Sequence, residues 1–182
     1  LKAYYTTMRQ MDFIFVADCS NSMSGFGSGD AMNSNFYNMQ SKMMDVADEL
    51  LNASDLDTMV AFSTFGETDG AVSPFFDNTP DGAAAASKYI WNDIVNYFSN
   101  TNYSTGLNGA LQLVQQHKEQ YPERSVTVIF ISDGQPFYPG EIPESYYGQA
   151  EADAIRALGV NIFSVLQQVP ESLLASSQEN MA

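Results

Sequence analysis

The sequence predicts an α/β domain with a doubly wound, mostly parallel sheet and helices on both faces. Apolar segments of strand length alternate with segments whose apolar residues recur at helical spacing, which is typical of a parallel sheet. The segments 13–17 and 126–131 are almost continuously apolar, as expected for strands that helices cover on both sides. With 182 residues the chain is long enough to bury a substantial core, so we assign residues 1–182 to a single domain.

The first half of the chain contains three predicted strands and one helix. Residues 11–17 form the first apolar run, and a loop rich in Gly and Asn follows. A helix is predicted next because apolar residues then recur every three or four positions, at Met39, Met43, Val46, Ala47 and Leu50. Residues 59–65 predict the second strand, and residues 71–76 a shorter third one.

The second half is predicted to contain three helices and two strands. A helix from near Asp81 is marked by Trp91, Ile94, Val95 and Phe98. A second, starting close to Thr105, is marked by Leu107, Ala110, Leu111 and Val114. The strand 125–132 precedes a loop rich in Pro and Tyr, a helix over 149–158 that ends at Gly159, and a last strand over 160–166.

Polar residues with oxygen ligands follow two of the predicted strands. Asp18, Ser20 and Ser22 alternate directly after the first strand, so they can converge on one side of an extended turn, and Asp133 follows the strand 125–132. If the five strands have the order 3-2-1-4-5, the topological switch point lies between these two strand ends. Hydroxyl and carboxylate oxygens suit Mg²⁺, Mn²⁺ or Ca²⁺ better than a soft metal.

Three sequence pieces together carry a family resemblance. Asp-x-Ser-x-Ser at 18–22, the hydroxyl of Thr105 at a predicted helix start and the strand-ending Asp133-Gly134 resemble the von Willebrand factor type A domain family over about residues 8–175. The resemblance implies a metal-ion-dependent adhesion site. It implies that Ser20 and Ser22 bind the ion directly, that Asp18 and Asp133 act through water, and that Thr105 binds directly or through water.

Local capping is the alternative interpretation of these residues. Asp and Ser often cap turns, and Thr105 could serve as a helix N-cap. The three pieces occur in order, each at the predicted end of an element, which favours the metal site.

The resemblance also implies a function without a chemical reaction. The ion would be Mg²⁺, with Mn²⁺ and Ca²⁺ as alternatives. Because few carboxylates would bind it directly, part of its positive charge would remain uncompensated. It could then bind the carboxylate of an Asp or Glu from a protein ligand, for example a host or matrix protein. We therefore expect a binding domain and not an enzyme, located at the cell surface in a bacterial surface or pilus adhesin and attached through regions outside this chain. One alternative is an intracellular interaction module that docks an ATPase partner, as in chelatase complexes. A metal-assisted hydrolase is a third reading, but the sequence offers no convincing base or second ligand cluster.

The amino-acid composition excludes some classes of binding partner. Seven Lys and Arg face 22 Asp and Glu, and a formal net charge of −15 repels nucleic acid and anionic membranes. The longest apolar stretches are strand-sized, so no transmembrane segment is predicted. A single cysteine, Cys19, excludes an intrachain disulfide.

The remaining candidates have structural interpretations. Cys19 is predicted as a small buried hydrophobe, His117 as a packing residue at a helix end, and Met39 and Met43 as core. The aromatic residues of the loops beside Asp18 and Asp133 could form a ligand-contacting rim or pack the loops down; these are Phe26, Phe36, Tyr37, Phe137, Tyr138, Tyr146 and Tyr147. The resemblance implies a short helix, which residues 171–178 can supply, then a further strand and a helix that we expect to be missing because the sequence stops at Ala182.

Overall fold

A mostly parallel sheet forms the centre of the computed structural model, which describes residues 9–24, 34–134 and 136–167. Within these residues the strands are β1 (Arg9–Asp18), β2 (Leu56–Asp57), β3 (Met59–Phe65), β4 (Phe76–Asp77), β5 (Ser125–Ser132) and β6 (Asn161–Leu166). Five of them follow the order β4-β3-β1-β5-β6, and β2 pairs with β1. Among these six described strands, β3 and β4 form the one antiparallel pair. The predicted fold class is confirmed, and the observed order is the 3-2-1-4-5 arrangement under which the switch point lies between the first strand and the strand 125–132.

The third predicted strand is much shorter than expected. Of residues 71–76, only Phe76 lies in β4, and Val72 forms an isolated bridge with Ser63. Pro74 lies between these two points, and its missing N–H interrupts a continuous ladder.

Four helices cover the described part of the sheet: α1 (Asn35–Asn52), α2 (Pro80–Asn92), α3 (Tyr103–Gln120) and α4 (Gln149–Ala157). Short 3-10 helices lie at Asn21–Ser24 and Glu144–Tyr147. Polar side chains cap α1, α2 and α3, since Ser34, Thr79 and Asn102 accept hydrogen bonds from backbone N–H groups of the following turns. The cap of α3 is therefore Asn102, and the alternative assignment of Thr105 as the N-cap is wrong.

The side chains of β1 alternate between two cores, one on each face of the sheet. Phe15 and Ala17 pack against α1 and α2, whereas Ile14 and Val16 pack against α3. The first core also contains Cys19, Met39 and Met43, and each is at most 2% exposed. The predictions of a buried cysteine and of core methionines are confirmed. The apolar stripe of α1 extends to the buried Leu51, whereas Val46 is 42% exposed.

The second predicted helix ends earlier than its apolar pattern suggested. α2 stops at Asn92, before Ile94, Val95 and Phe98. Ile94 is buried, whereas Val95 and Phe98 are exposed, as is Trp91 within α2. The physical reason is a competing set of backbone partners. Tyr97 N–H donates to the carbonyl of Cys19 (2.8 Å), and Asn21 N–H donates to the carbonyl of Ser99 (2.9 Å). The segment 93–101 thus runs beside the turn after β1 instead of continuing the helix.

The end of the sequence adds no further described element. β6 ends at Leu166, and the predicted helix over 171–178 and the expected missing strand and helix lie outside the described residues, as does Phe26. None of the helices in the described ranges is long and apolar enough to cross a membrane.

Candidate metal centre

The carboxyl ends of β1 and β5 lie side by side, and this brings Asp18 and Asp133 of the predicted metal site together. Ala17 pairs with Ile131 in the parallel ladder, so Asp18 and Ser132 come next to each other where the strands end. Ser132 Oγ donates to Asp18 Oδ2 at 2.6 Å. Asp18 is fully buried, whereas Asp133 lies one residue further on and is only partly buried.

The turn after β1 connects both aspartates through two serines. Ser20 N–H donates to Asp18 Oδ1 (2.9 Å), and this bond closes the turn on itself. The hydroxyls of Ser20 and Ser22 are 3.2 Å apart, and Ser22 Oγ donates to Asp133 Oδ1 at 2.9 Å. The structure therefore brings Asp18, Ser20, Ser22 and Asp133 into one cluster, four of the five predicted site residues.

The threonine that joins this cluster is Thr101, and the prediction of Thr105 needs correction. Thr101 is buried, and its Oγ1 donates to Ser20 Oγ at 2.9 Å. Thr105 Oγ1 instead donates to the carbonyl of Glu67 (2.8 Å), in the loop after β3.

The packing of α3 explains where Thr105 points. Gly106 faces the sheet so closely that a Cβ there would lie 2.4 Å from Phe65 Cδ1 and 2.8 Å from Val16 Cγ1. Thr105 is about 100° around the helix from Gly106, and that angle directs it toward the loop after β3. The backbone just before α3 reaches the cluster instead, because Thr101 exchanges two backbone hydrogen bonds with Phe137. Asn102, a typical N-cap residue, is the sequence signal that could have indicated this earlier helix start.

Residues from three further segments hold the cluster in place. Asn96 Nδ2 donates to the carbonyl of Ser20 (2.9 Å), and Asn35 Nδ2 donates to Asp133 Oδ2 (3.3 Å). Tyr103 donates its hydroxyl to the carbonyl of Gly134. The turn after β1, the start of α1 and the start of α3 are thereby fixed relative to the end of β5.

Negative charge is concentrated at this cluster. Burial, with the nearby charge of Asp133, raises the pKa of Asp18 to about 6, although hydrogen bonds from Ser132 and Ser20 act in the opposite direction. Burial also raises the pKa of Asp133. None of the ion pairs that the described residues make with one another involves either carboxylate. Ionised carboxylates in this environment favour a cation as a partner.

The donor set fits a hard divalent cation. Two carboxylates and three hydroxyls offer only oxygen atoms, which suits Mg²⁺, Mn²⁺ or Ca²⁺. No three acidic, imidazole or thiol groups converge on a common point within the described ranges. A cation here would therefore depend on the hydroxyls of Ser20, Ser22 and Thr101 and would retain waters, as Mg²⁺ usually does.

Comparison with solved structures supports the fold. The chain is similar to the PilB minor pilin of Streptococcus sanguinis (TM-score 0.68, 14% identity, 97% of this chain and 55% of that one). It is also similar to the pilus adhesin SpaC of Lactobacillus rhamnosus GG (TM-score 0.65, 11% identity, 96% and 27%). A third similar structure is proximal thread matrix protein 1 from the mussel byssus, solved with a zinc-occupied MIDAS motif (TM-score 0.64, 21% identity, 96% and 39%). The chain thus spans between about a quarter and just over half of each of these proteins.

Comparison of the sequence with known families identifies the domain. No curated protein sequence matches the chain. Residues 12–178 match the family described as the von Willebrand factor type A domain, and this match covers most of the sequence. The chain therefore belongs to the von Willebrand factor type A domain family.

Proposed function

We propose that this domain binds a divalent cation, Mg²⁺ in the first instance, and through it captures an acidic side chain of a protein ligand. The observation that carries the proposal is the cluster itself: two carboxylates and three hydroxyls converge, and the carboxylates have no ion-pair partner among the described residues. Asp18, Ser20, Ser22, Thr101 and Asp133 are the residues that would hold the ion.

Among the described residues, the cluster differs in exposure from one side to the other. Asp18 and Ser20 are fully buried and Thr101 is 3% exposed, whereas Ser22 is exposed and Asp133 partly so. Of the cluster residues, Ser22 and Asp133 are therefore the ones that a ligand can reach from solvent. Because Ser22 donates to Asp133, both side chains already face each other at the position where a ligand would enter.

Electrostatics explains why a cation is needed for an acidic ligand. The chain has a formal net charge of −15, so a carboxylate from a partner is repelled at long range. A bound divalent ion supplies a local positive charge at the open side of the cluster. The neutral hydroxyls leave that charge only partly compensated, which is the condition for binding an additional carboxylate.

We further propose that the domain acts in adhesion at the cell surface, as part of a larger protein, and that it catalyses no reaction. Similar folds occur in a pilus adhesin and a minor pilin, both longer than this chain, and this similarity supports the proposal. The zinc-occupied motif of the mussel protein supports binding of a divalent cation by this fold, while the all-oxygen donor set favours Mg²⁺ here.

Titration calorimetry with MgCl₂ and MnCl₂ tests the metal site. We expect one ion per chain for the unmodified protein and a loss of affinity of at least about ten-fold in Asp133→Asn, because a carboxylate of the cluster is removed. Asp45→Asn is the matched control, since Asp45 is an exposed carboxylate on α1. Unchanged metal affinity in Asp133→Asn would refute the proposed site.

A further inference from the structure

Two exposed phenylalanines flank the proposed metal cluster. Phe98 is 67% exposed and Phe137 is 57% exposed, although both belong to segments that hydrogen-bond to cluster residues. Large apolar side chains are expensive to keep in water, so two of them beside a binding site indicate a contact surface.

The backbone places Phe137 on the same side as the metal cluster. Phe137 and Thr101 donate to each other's carbonyls at 3.0 and 3.1 Å, which makes them a directly opposed antiparallel pair. Side chains of such a pair lie on the same face of the ladder, with Cα atoms about 5.5 Å apart. Since Thr101 Oγ1 contacts Ser20, Phe137 stands next to the cluster on its exposed flank.

Phe98 lies in a segment beside the cluster and has an unfavourable backbone conformation. Its φ is +53°, in the left-handed region that bulky residues rarely adopt, and no other described non-glycine residue has a positive φ. The neighbouring Ser99 accepts a hydrogen bond from Asn21 N–H, so Phe98 lies beside the turn that contains Ser20 and Ser22. Strain of this kind is typical of positions that serve binding.

Both segments are fixed before any ligand arrives. Asn100 Nδ2 and Tyr146 hydroxyl both donate to the carboxylate of Glu67, at 2.9 and 3.1 Å. Tyr146 also packs edge-on against Tyr138, the neighbour of Phe137. The loops that contain Phe98 and Phe137 are thus connected through one carboxylate, which lowers the entropy lost when a ligand binds between them.

We infer that Phe98 and Phe137 form apolar walls of the ligand site and select a peptide segment in which an acidic residue is flanked by apolar side chains. This inference rests on the proposed function, because the acidic residue is the one that the cluster would capture. Apolar contact does not depend on charge, so it adds affinity that the strongly acidic surface cannot provide.

Fluorescence anisotropy with three labelled peptides tests the inference. One peptide has a central Glu flanked by Leu and Phe, the second has the same Glu flanked by Ser, and the third has a central Gln flanked by Leu and Phe. In Mg²⁺ we expect the first to bind about ten-fold more tightly than the second, as burial of one aromatic ring predicts, and more tightly than the third. EDTA should remove this binding.

Three variants identify the residues responsible. Phe98→Asn removes the ring and keeps a residue that tolerates left-handed backbone, and Phe137→Ser removes the second ring. Each should reduce the preference for apolar flanks without changing Mg²⁺ affinity by calorimetry and without lowering the thermal unfolding temperature. Phe163→Ser is the matched control, since Phe163 lies on β6 and is also 57% exposed.

The outcomes separate the two proposals. The inference is overturned if both Glu peptides bind equally, or if Phe98→Asn and Phe137→Ser both retain the full preference for apolar flanks. Either result leaves carboxylate capture in place. Equal binding of the Gln and Glu peptides, or absence of any Mg²⁺-dependent binding, overturns the proposed function and the inference with it.

Discussion

The threonine of the proposed metal cluster lies four positions before the predicted one, and this difference can be tested directly. Thr101→Val removes the hydroxyl that contacts Ser20 but keeps a branched side chain in the extended backbone. We expect calorimetry to show about a ten-fold lower affinity for Mn²⁺ or Mg²⁺, the effect of losing roughly 1.4 kcal/mol of binding free energy.

Thr105→Val is the control for this experiment. It removes the hydrogen bond to the Glu67 carbonyl, which should lower the unfolding free energy by about 1 kcal/mol and leave metal affinity unchanged. If Thr105→Val weakens metal binding and Thr101→Val does not, the assignment of Thr101 is wrong.

The buried carboxyl of Asp18 predicts an unusual pH dependence for the metal-free protein. Its pKa is raised to about 6 from the usual 3.8, so the folded state holds the proton more tightly than the unfolded state. The stabilisation is therefore complete at low pH and is lost as the pH rises from about 4 to about 6, by roughly 3 kcal/mol. The raised pKa of Asp133 acts in the same direction.

Urea unfolding of metal-free protein across this pH range measures the effect. We expect Asp18→Asn to flatten the pH dependence of the unfolding free energy, because the amide stays neutral, and to be more stable than the unmodified protein at about pH 7.

Asp12 has the opposite effect on the pH dependence of stability. Burial raises its pKa, but hydrogen bonds from Arg124, His117 and the Met59 N–H outweigh burial and lower the pKa. Its contribution is lost only below about pH 4, outside the window for Asp18. If the unfolding free energies of the unmodified protein and of Asp18→Asn change equally between about pH 4 and 6, the prediction for Asp18 is contradicted.

At the scale of the element, β1 has a buried aspartate near each end, and the two have different roles. Asp18 belongs to the proposed metal cluster, whereas Asp12 lies about 20 Å away along the strand and is neutralised within the protein. Arg124 binds both oxygens of Asp12 at 2.6 and 2.8 Å, and His117 Nε2 lies 2.6 Å from Oδ2. The predicted packing role of His117 is confirmed by its complete burial, but its polar partner was not foreseen.

This division predicts that stability and metal binding can be separated along one strand. Arg124→Met keeps an apolar stem of similar length but leaves Asp12 without its main counter-charge, so the unfolding free energy should fall by about 3 kcal/mol. Metal affinity should stay within about two-fold, because no residue of the cluster is touched. Urea denaturation and calorimetry on the same variant provide both values, and a loss of metal affinity as large as that expected for Asp133→Asn would argue against this separation.

At the scale of the whole molecule, the fold should survive removal of the metal. Two apolar cores, one on each face of the sheet, hold the described helices against the strands. The hydroxyl residues of the cluster belong to neither core. We expect EDTA to leave the far-ultraviolet circular dichroism spectrum native-like and to lower the thermal midpoint, since an ion that binds only the folded state stabilises it. A chain that unfolds on chelation, as small zinc modules do, would show that the core is insufficient.

The sequence alone predicted the fold class and four of the residues that form the cluster. The segments 13–17 and 126–131 of the two strands that flank the cluster are almost continuously apolar, and their carboxyl ends place Asp18 and Asp133 at one edge by a rule of parallel topology. Ser20 and Ser22 followed from the local alternation after β1. These features depend on residues close together in the chain, which is why a sequence pattern can express them.

Contacts between distant segments decided the rest. Thr101 reaches Ser20 because its backbone pairs with Phe137, and Gly106 turns Thr105 away by packing on Phe65. α2 ends at Asn92 because the following segment finds hydrogen-bond partners beside Cys19 and Asn21, and this leaves Phe98 exposed. Asp12 and His117 are separated by 105 positions in the sequence. No local periodicity specifies such pairs, because their energies exist only once the sheet and both helix layers have assembled.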